Sequence, residues 1–204
     1  MTTALEELAR TASTCTRCRL SAGRTQVVFA DGSPDADLMF IGEGPGYHED
    51  QQGVPFVGAA GQLLNTLLGE IGLTRQEVRI TNTVLCRPPG NRDPMPDELE
   101  SCRPYLTQQV ELVDPRVIVT LGNFATRVIL DTTVGISKVR GQLHPWNGRT
   151  VIPTFHPAAV LRGGGAASRT MQQVREDFAT IKATLDEARA SGAATVPEEQ
   201  LGLF

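Results

Sequence analysis

Four cysteines are the residues of this chain with the clearest capacity to bind a metal. Cys15 and Cys18 form the segment CTRC, and Cys86 and Cys102 follow later with fifteen residues between them. Four thiolates can close a tetrahedral zinc site or hold an iron–sulfur cluster. The sixty-seven residues between Cys18 and Cys86 fit no compact zinc module. The sequence therefore predicts a four-cysteine metal site and leaves the metal open.

A redox or disulfide pair and ordinary buried thiols are the alternatives for these cysteines. A cytosolic protein keeps its thiols reduced, which disfavours a disulfide. The CTRC segment also does not follow a strand of a βαβ unit, as a redox motif would. Both observations favour metal binding.

A second set of reactive side chains comes at the ends of predicted strands. Glu43 follows DADLMFIG, Asn82 lies in ITNTV, and His156 lies in TFHP. Each has an ordinary alternative, because an asparagine can cap a turn, a histidine can be satisfied in the core and a loop glutamate can be solvated. Since ligands of parallel sheets bind at the carboxyl ends of the strands, we expect all three at one edge.

The loop IGEGPGYHED, residues 41–50, surrounds Glu43 with glycines. A dinucleotide fingerprint would need a glycine where Tyr47 stands, and the Walker Lys-Ser/Thr pair is missing, so a phosphate cradle is not predicted. The following segment, GVPFVGAAG, places Phe56 between glycines. An aromatic face, an amide, an imidazole and a carboxylate at one edge predict a pocket for a planar base.

The elements that must position these residues alternate between strands and helices. Strands are predicted at 35–42, 77–84, 115–122 and 150–157, and helices at 2–13, 61–72, 96–113, 123–130 and 171–190. This alternation predicts an α/β fold with three αβα layers and a central, mostly parallel four-stranded sheet. We expect one domain over residues 1–190 and a flexible tail over residues 191–204.

The overall composition limits the function classes only weakly. With 204 residues, of which 40% are hydrophobic, the chain can build one sizeable core. The net charge of -4 does not point to nucleic acid, but bases gather in short glycine-bearing loops and allow a local basic face. The N-terminus lacks the features of a signal peptide and no apolar run could span a bilayer. We expect a cytoplasmic monomer that does not enter a membrane.

Four segments together resemble the uracil-DNA glycosylase superfamily, most closely its iron–sulfur family 4. They are GEGPGYHEDQQGVPFVGAAGQLLN, ITNTVLCRPPGNRDPMPDELESC, IVTLGNFA and FHPAAVLR, and the resemblance spans roughly residues 10–185. It implies hydrolysis of the N-glycosidic bond of deoxyuridine in DNA, with release of uracil, in base excision repair. It also implies that the four cysteines hold a [4Fe–4S] cluster.

The resemblance implies a role for each residue of the pocket. His156 would bind uracil O2 and stabilise the developing negative charge, and Glu43 would orient the attacking water or stabilise the cationic sugar. Asn82 would pair with uracil N3–H and O4, and Phe56 would stack on the ring. Family 1 enzymes carry an aspartate where this chain has Gly44, and Glu49 or Tyr47 would exclude thymine. The substrate-binding set also contains Gly42, Pro45, Gly46 and Asp50.

The loop HPAAVLRGG resembles the minor-groove intercalation loop of the family. The target base must leave the helix to reach such a pocket. Val160 or Leu161 would then fill the vacated space, and Arg162 would bind a phosphate. An ordinary core leucine and a surface arginine are the alternatives.

Turnover without strand scission is expected. A relative that becomes covalently trapped on uracil DNA carries an arginine-rich, histidine-bearing insertion after the asparagine strand, and CRPPGNRDPMPDELESC has neither feature. No lysine is predicted at the pocket edge, so strand scission by Schiff-base chemistry is not expected. A non-catalytic nucleic-acid or nucleotide-binding iron–sulfur module is the competing class.

The last five residues, QLGLF, resemble the bacterial sliding-clamp-binding pentapeptide. Gln200, Leu201, Leu203 and Phe204 would fill a hydrophobic pocket of the clamp. A tether of this kind raises the local concentration of an enzyme at replicating DNA. A chain end that packs on the domain is the alternative.

Overall fold

The computed structural model describes residues 3–191, which form a six-stranded sheet with helices on both faces. The strand order is β1-β3-β2-β4-β6-β5. The strands are β1 (Asp31–Gly32), β2 (Leu38–Gly42), β3 (Arg79–Asn82), β4 (Val117–Leu121), β5 (His144–Trp146) and β6 (Arg149–Thr154). The helices are α1 (Ala4–Ser13), α2 (Tyr47–Gln52), α3 (Ala59–Glu70), α4 (Pro96–Val113), α5 (Gly122–Leu130), α6 (Ile136–Val139), α7 (Pro157–Arg162) and α8 (Arg169–Ala190).

The two innermost strands, β2 and β4, are mostly apolar because helices cover both faces of the sheet. Every residue of β2 and of β4 is buried, as is usual for parallel strands. Side chains alternate between the two faces of a strand. Leu38 and Phe40 therefore pack with α3 and α8, whereas Met39 and Ile41 pack with α4 and α5. This alternation produces the three αβα layers.

The predicted parallel core is confirmed, and the sheet is larger than expected. Strands β3, β2, β4 and β6 pair in parallel. Strands β1 and β5 extend the sheet at its edges by antiparallel pairing. These edge strands have only two and three residues, too few for a period-two pattern to be recognised. The helices α2, α6 and α7 have only six, four and six residues, which is too short for a helical pattern of apolar residues to be recognised in the sequence.

Helix boundaries follow local signals in the sequence. Helix α1 begins with a capping box in which Thr3 and Glu6 bond reciprocally. Helix α4 begins with Pro96 and has Asp97 and Glu98 in its first turn. Within residues 3–191, none of the helices combines the length and the apolar character needed to cross a membrane. The predicted clamp-binding residues lie outside the described residues.

Candidate active site

The carboxyl ends of three parallel strands bring Glu43, Asn82 and His156 to one edge of the sheet. Gly42 at the end of β2 is in register with Asn82 at the end of β3. His156 follows β6 by two residues. The pairing of β2 and β3 continues into the loops, because Thr83 N–H donates to Gly42 O at 2.9 Å and the Thr83 hydroxyl donates to Glu43 O at 2.6 Å. The backbone at Glu43 is thereby fixed.

The amide of Asn82 is buried beside the ring of Phe56. Its side chain is 2% exposed, and within residues 3–191 its Oδ1 has no hydrogen-bond partner. Both groups can approach because position 42 is a glycine. A Cβ at Gly42 would lie 2.6 Å from Phe56 Cζ and even closer to Asn82 Oδ1. Since buried polar atoms are almost always paired, this acceptor is available for a ligand.

The ring of Phe56 also stacks on the imidazole of His156. The ring centroids are 5.6 Å apart and the planes differ by 27°. Phe56 has a left-handed backbone, with φ +54°, which is unusual for a bulky residue. Arg75 supports this conformation, because its guanidinium donates to Phe56 O at 3.1 Å and also to Pro55 O. The stacking ring is thus held in place from behind.

The hydrogen bond of His156 determines which ring nitrogen carries the proton. His156 caps α7, and its Nδ1 accepts the backbone N–H of Ala158 at 3.1 Å. Burial and, to a smaller extent, the charge of Arg162 lower the pKa of His156 to about 4, and Glu49 opposes both. At neutral pH the imidazole is therefore uncharged and its proton is on Nε2, where it can be donated.

Glu43 is partly buried and is influenced by charges from two other loops. Burial raises the pKa of its carboxyl, Asp93 raises it further, and Arg162 acts in the opposite direction. The neighbouring Gly44 packs closely against Val84, because a Cβ at Gly44 would lie 2.8 Å from Val84 Cγ2. An aspartate at position 44, as in family 1, would collide with this segment.

The two acids that follow the glycine loop hold backbone in place. Glu49 Oε1 accepts the N–H groups of Val57 and Gly58, each at 2.9 Å, and so fixes the segment after Phe56. Asp50 is buried and accepts Thr25 N–H at 2.9 Å. Of the remaining predicted positions, Pro45 is buried and Gly46 precedes α2.

The three predicted DNA contacts differ in their exposure. Val160 is fully buried in the core with α3 and α8, because it lies on the inner side of α7. Leu161 is 42% exposed, and Arg162 is exposed as well. Of the two apolar candidates, Leu161 is the one that reaches solvent.

The four cysteines lie together although they come from three segments of the chain. They line one pocket, shared with side chains such as Leu85 and Tyr105, and all are free thiols. Burial, with a smaller contribution from the other thiols, raises the pKa of Cys102 to about 12, and a backbone hydrogen bond from Leu85 opposes the shift. Buried thiols of this kind ionise when a metal centre compensates their charge.

The arrangement of the cysteines bears on the choice of metal. Within residues 3–191, no group of three or more His, Cys, Asp and Glu side chains is arranged to hold one metal ion. A zinc site gathers all of its ligands around one ion. A [4Fe–4S] cluster binds four thiolates through four different irons, so its ligands stand further apart. Four thiols that line one pocket are the donor set of a four-cysteine metal centre.

Several supporting residues were not predicted from the sequence. Arg75 holds the Phe56 loop, Thr83 fixes the backbone of Glu43, and Arg24 approaches the cysteines. Arg24 lies in a loop and Arg75 in a single 3₁₀ turn, and neither segment carries a periodic signal in its sequence. Their roles follow from contacts with residues that are distant in the sequence, Phe56 for Arg75 and Cys86 for Arg24.

Comparison with known proteins agrees with this geometry. A model of the Uracil DNA glycosylase superfamily matches residues 29–179. The type-4 uracil-DNA glycosylase of Sulfurisphaera tokodaii is 46% identical over 87% of this chain and 83% of its own length. The corresponding enzyme of Thermotoga maritima is 46% identical over 82% of this chain and 88% of its own. The chain therefore belongs to the uracil-DNA glycosylase superfamily, among its type-4 members.

Proposed function

We propose that the chain is a monofunctional uracil-DNA glycosylase. It hydrolyses the N-glycosidic bond of deoxyuridine in DNA, releases uracil and leaves an abasic site for base excision repair. The observation that carries the proposal is the buried, unpaired Oδ1 of Asn82 beside the stacked rings of Phe56 and His156.

Recognition of uracil depends on the orientation of one amide. Asn82 Oδ1 accepts uracil N3–H, and its amide N–H donates to O4. Cytosine presents an acceptor and an amino group at these positions, so both contacts become unfavourable. Leaving a buried polar group unpaired costs about 1–3 kcal/mol, which is enough to discriminate strongly. Tyr47 points to solvent and is 54% exposed, so we assign the exclusion of thymine to Glu49.

His156 stabilises the departing base. Cleavage passes through an oxocarbenium-like sugar and a uracil anion, as in glycoside hydrolysis. Negative charge develops on uracil O2, where the Nε2–H of a neutral His156 can donate. The lowered pKa keeps the imidazole uncharged over most of the working pH range. A prepositioned donor at a developing oxyanion is worth about 10²–10³ in rate.

Glu43 acts on the opposite side of the scissile bond. Its carboxylate orients the attacking water or stabilises the cationic sugar, and both roles require the ionised form. Because the pKa of Glu43 is raised, its carboxylate takes up a proton at a higher pH than an ordinary glutamate does. We therefore expect uracil release to decline on acidification as Glu43 takes up a proton.

Contact with DNA involves the exposed end of α7. Leu161 enters the space that the extruded base vacates, and Arg162 binds a backbone phosphate. Val160 contributes to the core instead. The electrostatic influence of Arg162 on both Glu43 and His156 is consistent with a position close to the pocket.

Cys15, Cys18, Cys86 and Cys102 would hold a [4Fe–4S] cluster. When bound, the cluster supplies a rigid cross-link and an electron-transfer centre of adjustable potential. The cysteines themselves join the segment after α1 to the end of β3 and to α4. In a small domain such a cross-link stabilises the fold.

Chemistry that would leave an enzyme–DNA adduct has no support in this chain. The sequence contains two lysines, Lys138 and Lys182. Lys182 pairs with Asp186 in α8, and Lys138 is exposed in α6. A module that binds uracil without cleaving the bond is the second candidate. The pocket of Asn82, Phe56 and His156 would serve this function equally well.

We also propose that residues 191–204 form a tail that binds a sliding clamp, attached to a single domain that acts as a monomer. Deleting residues 200–204 should abolish clamp binding in a pull-down assay. The same deletion should leave uracil release from short oligonucleotides unchanged. Retained clamp binding would refute this proposal.

The decisive test of the activity uses a paired set of variants. Wild type, Glu43→Gln and the exposed control Glu100→Gln are incubated with single-stranded DNA, a U:G duplex and a U:A duplex. Free uracil is measured by mass spectrometry and abasic sites by alkaline cleavage. We expect release by wild type and Glu100→Gln, and a rate about 10²-fold lower for Glu43→Gln. Binding of uracil DNA without release by wild type would support the non-catalytic module instead.

A further inference from the structure

Arg24 reaches into the pocket of the four cysteines. Its Nη1 donates to Cys15 O at 2.6 Å and lies 3.4 Å from Cys86 Sγ. Its Nη2 lies 3.4 Å from Ser13 O. One guanidinium therefore connects the N-terminal cysteine segment to a thiol on the segment that follows β3.

The contacts of Arg24 suit a thiolate better than a thiol. A guanidinium has only donors, so its contact with Cys86 is an N–H···S hydrogen bond to a sulfur acceptor. An ionised sulfur accepts such a bond more strongly than a neutral one. The half-buried position of Arg24 limits competition by water.

We propose that Arg24 is a positioning residue for the iron–sulfur cluster, which holds the Cys86 thiolate by a hydrogen bond and fixes the Cys15 backbone beside it. The inference rests on the proposed [4Fe–4S] cluster and concerns a residue outside its ligand set. Hydrogen bonds to cluster sulfurs and nearby positive charge favour the reduced cluster, which carries one more electron. Arg24 should therefore raise the reduction potential and slow the loss of iron.

The chain offers a matched control for Arg24. Arg17 lines the same pocket and carries the same charge. Its guanidinium carbon lies 5.2 Å from the centroid of the Tyr105 ring, so its main contact is with an aromatic face. Arg17→Gln thus removes a cation from the pocket and leaves the hydrogen bond to Cys86 intact.

The experiment compares wild type, Arg24→Gln and Arg17→Gln as full chains purified without oxygen. Iron and sulfide per chain are measured first, followed by the reduction potential of the cluster and the rate of iron release to a chelator. We expect Arg24→Gln to release iron about tenfold faster, as is typical when an outer-shell partner is removed. Its potential should be more negative than that of Arg17→Gln, which loses the same charge but keeps the hydrogen bond to Cys86, and Arg17→Gln should release iron at the wild-type rate.

Two outcomes would overturn the inference, and they can be told apart. If wild type holds no iron and sulfide, the proposed cofactor is wrong and the inference falls with it. If wild type holds the cluster but Arg24→Gln matches Arg17→Gln in potential and in iron release, only the role of Arg24 is refuted. If Arg24→Gln does not accumulate, Arg24→Lys replaces it, because a lysine keeps the charge but cannot make both contacts. Iron release by Arg24→Lys at the wild-type rate would then overturn the inference.

Discussion

Two buried polar clusters of this chain differ in how completely their atoms are paired. At the start of α4, Glu98 is 0% exposed and accepts from Arg92 Nη1 at 2.8 Å, from Arg92 Nη2 at 2.6 Å and from Met95 N at 2.8 Å. Asn82 is equally buried, but among residues 3–191 its Oδ1 has no partner. The first cluster is complete in the folded chain, whereas the second leaves an acceptor that a ligand can use.

A further buried acid supports this contrast. Asp177 on α8 accepts from the Thr154 hydroxyl at 2.6 Å and from Arg140 Nε at 3.0 Å and Nη2 at 2.6 Å. The fold thus satisfies its buried carboxylates where their role is structural. At the pocket it leaves an amide oxygen free and keeps a histidine neutral. We infer that pocket substitutions change activity more than stability, and that substitutions in the paired clusters do the reverse.

The largest expected effect is on catalysis at His156. His156→Ala removes the Nε2 donor that faces the departing uracil. The rate of the chemical step should fall about 10²–10³-fold, as for the loss of one oxyanion donor. Single-turnover uracil release at saturating enzyme measures this directly. A rate within threefold of wild type, as an order-of-magnitude limit, would show that His156 does not act on the leaving group.

Breaking the paired cluster should lower stability instead. Glu98→Gln removes the charge of a buried carboxylate that accepts three hydrogen bonds, while the Arg92 guanidinium remains 31% exposed to solvent. The free energy of unfolding should therefore fall, because the charged hydrogen bonds of the buried group are lost. Urea unfolding gives this value, and uracil release per folded molecule should stay close to wild type. Unchanged stability would contradict the contrast between the two clusters.

A pH effect should also be seen in the stability of the protein. The pKa of His156 is lowered from 6.5 to about 4 in the folded chain. Between these pH values the unfolded chain binds a proton that the folded chain does not. The free energy of unfolding should therefore fall as the pH drops from 6.5 to 4, with a contribution from His156 of about 3 kcal/mol. Above pH 6.5 the group contributes nothing to the pH dependence.

The variant His156→Ala provides the control for this pH dependence. Its stability should decrease less than that of wild type over the same pH interval, because no imidazole has to be kept neutral. Urea unfolding at several pH values measures the difference. Parallel curves for the two proteins would mean that the imidazole titrates normally.

Asn82→Leu should separate stability from recognition most clearly. Leucine has a similar size and removes the unpaired acceptor. The free energy of unfolding should therefore rise, or fall by less than about 1 kcal/mol. Uracil recognition should be lost, and the discrimination between uracil and cytosine with it. Thermal unfolding and competitive binding of free uracil measure the two effects. A large loss of stability would indicate that the amide of Asn82 has a structural partner.

The smallest effect is expected at the exposed end of α7. Leu161→Ala should slow uracil release from duplex DNA severalfold and leave single-stranded substrate unaffected, because extrusion of a paired base costs a few kcal/mol that a wedge repays in part. Comparison of U:G, U:A and single-stranded substrates measures the difference. Equal effects on all three substrates would refute the wedge.

The parallel core of the fold could be predicted from the sequence because its signals are local. The β2 and β4 segments are continuous apolar runs, and α4 was placed at its observed boundaries by its proline and first-turn acids. The edge strands have no such signal, since pairing with β3 and β6 alone stabilises them. Their existence depends on the sheet that they join.

The candidate site was accessible to sequence reasoning only where strand ends carry polar residues. Glu43, Asn82 and His156 follow buried strands, so topology places them together. The support by Arg75 and the left-handed backbone of Phe56 depend on contacts between distant segments. The burial of Val160 similarly follows from how α7 packs on the core. No local pattern could have indicated these features.

The most direct test of the account is to identify the product formed by wild type. The full chain is incubated with a single-stranded oligonucleotide that contains one deoxyuridine, and the mixture is analysed by mass spectrometry. We predict free uracil and an abasic strand in equal amounts over many turnovers, and no release of cytosine from a matched deoxycytidine strand. A denaturation-resistant protein–DNA adduct without free uracil, or no reaction at all, would contradict the account.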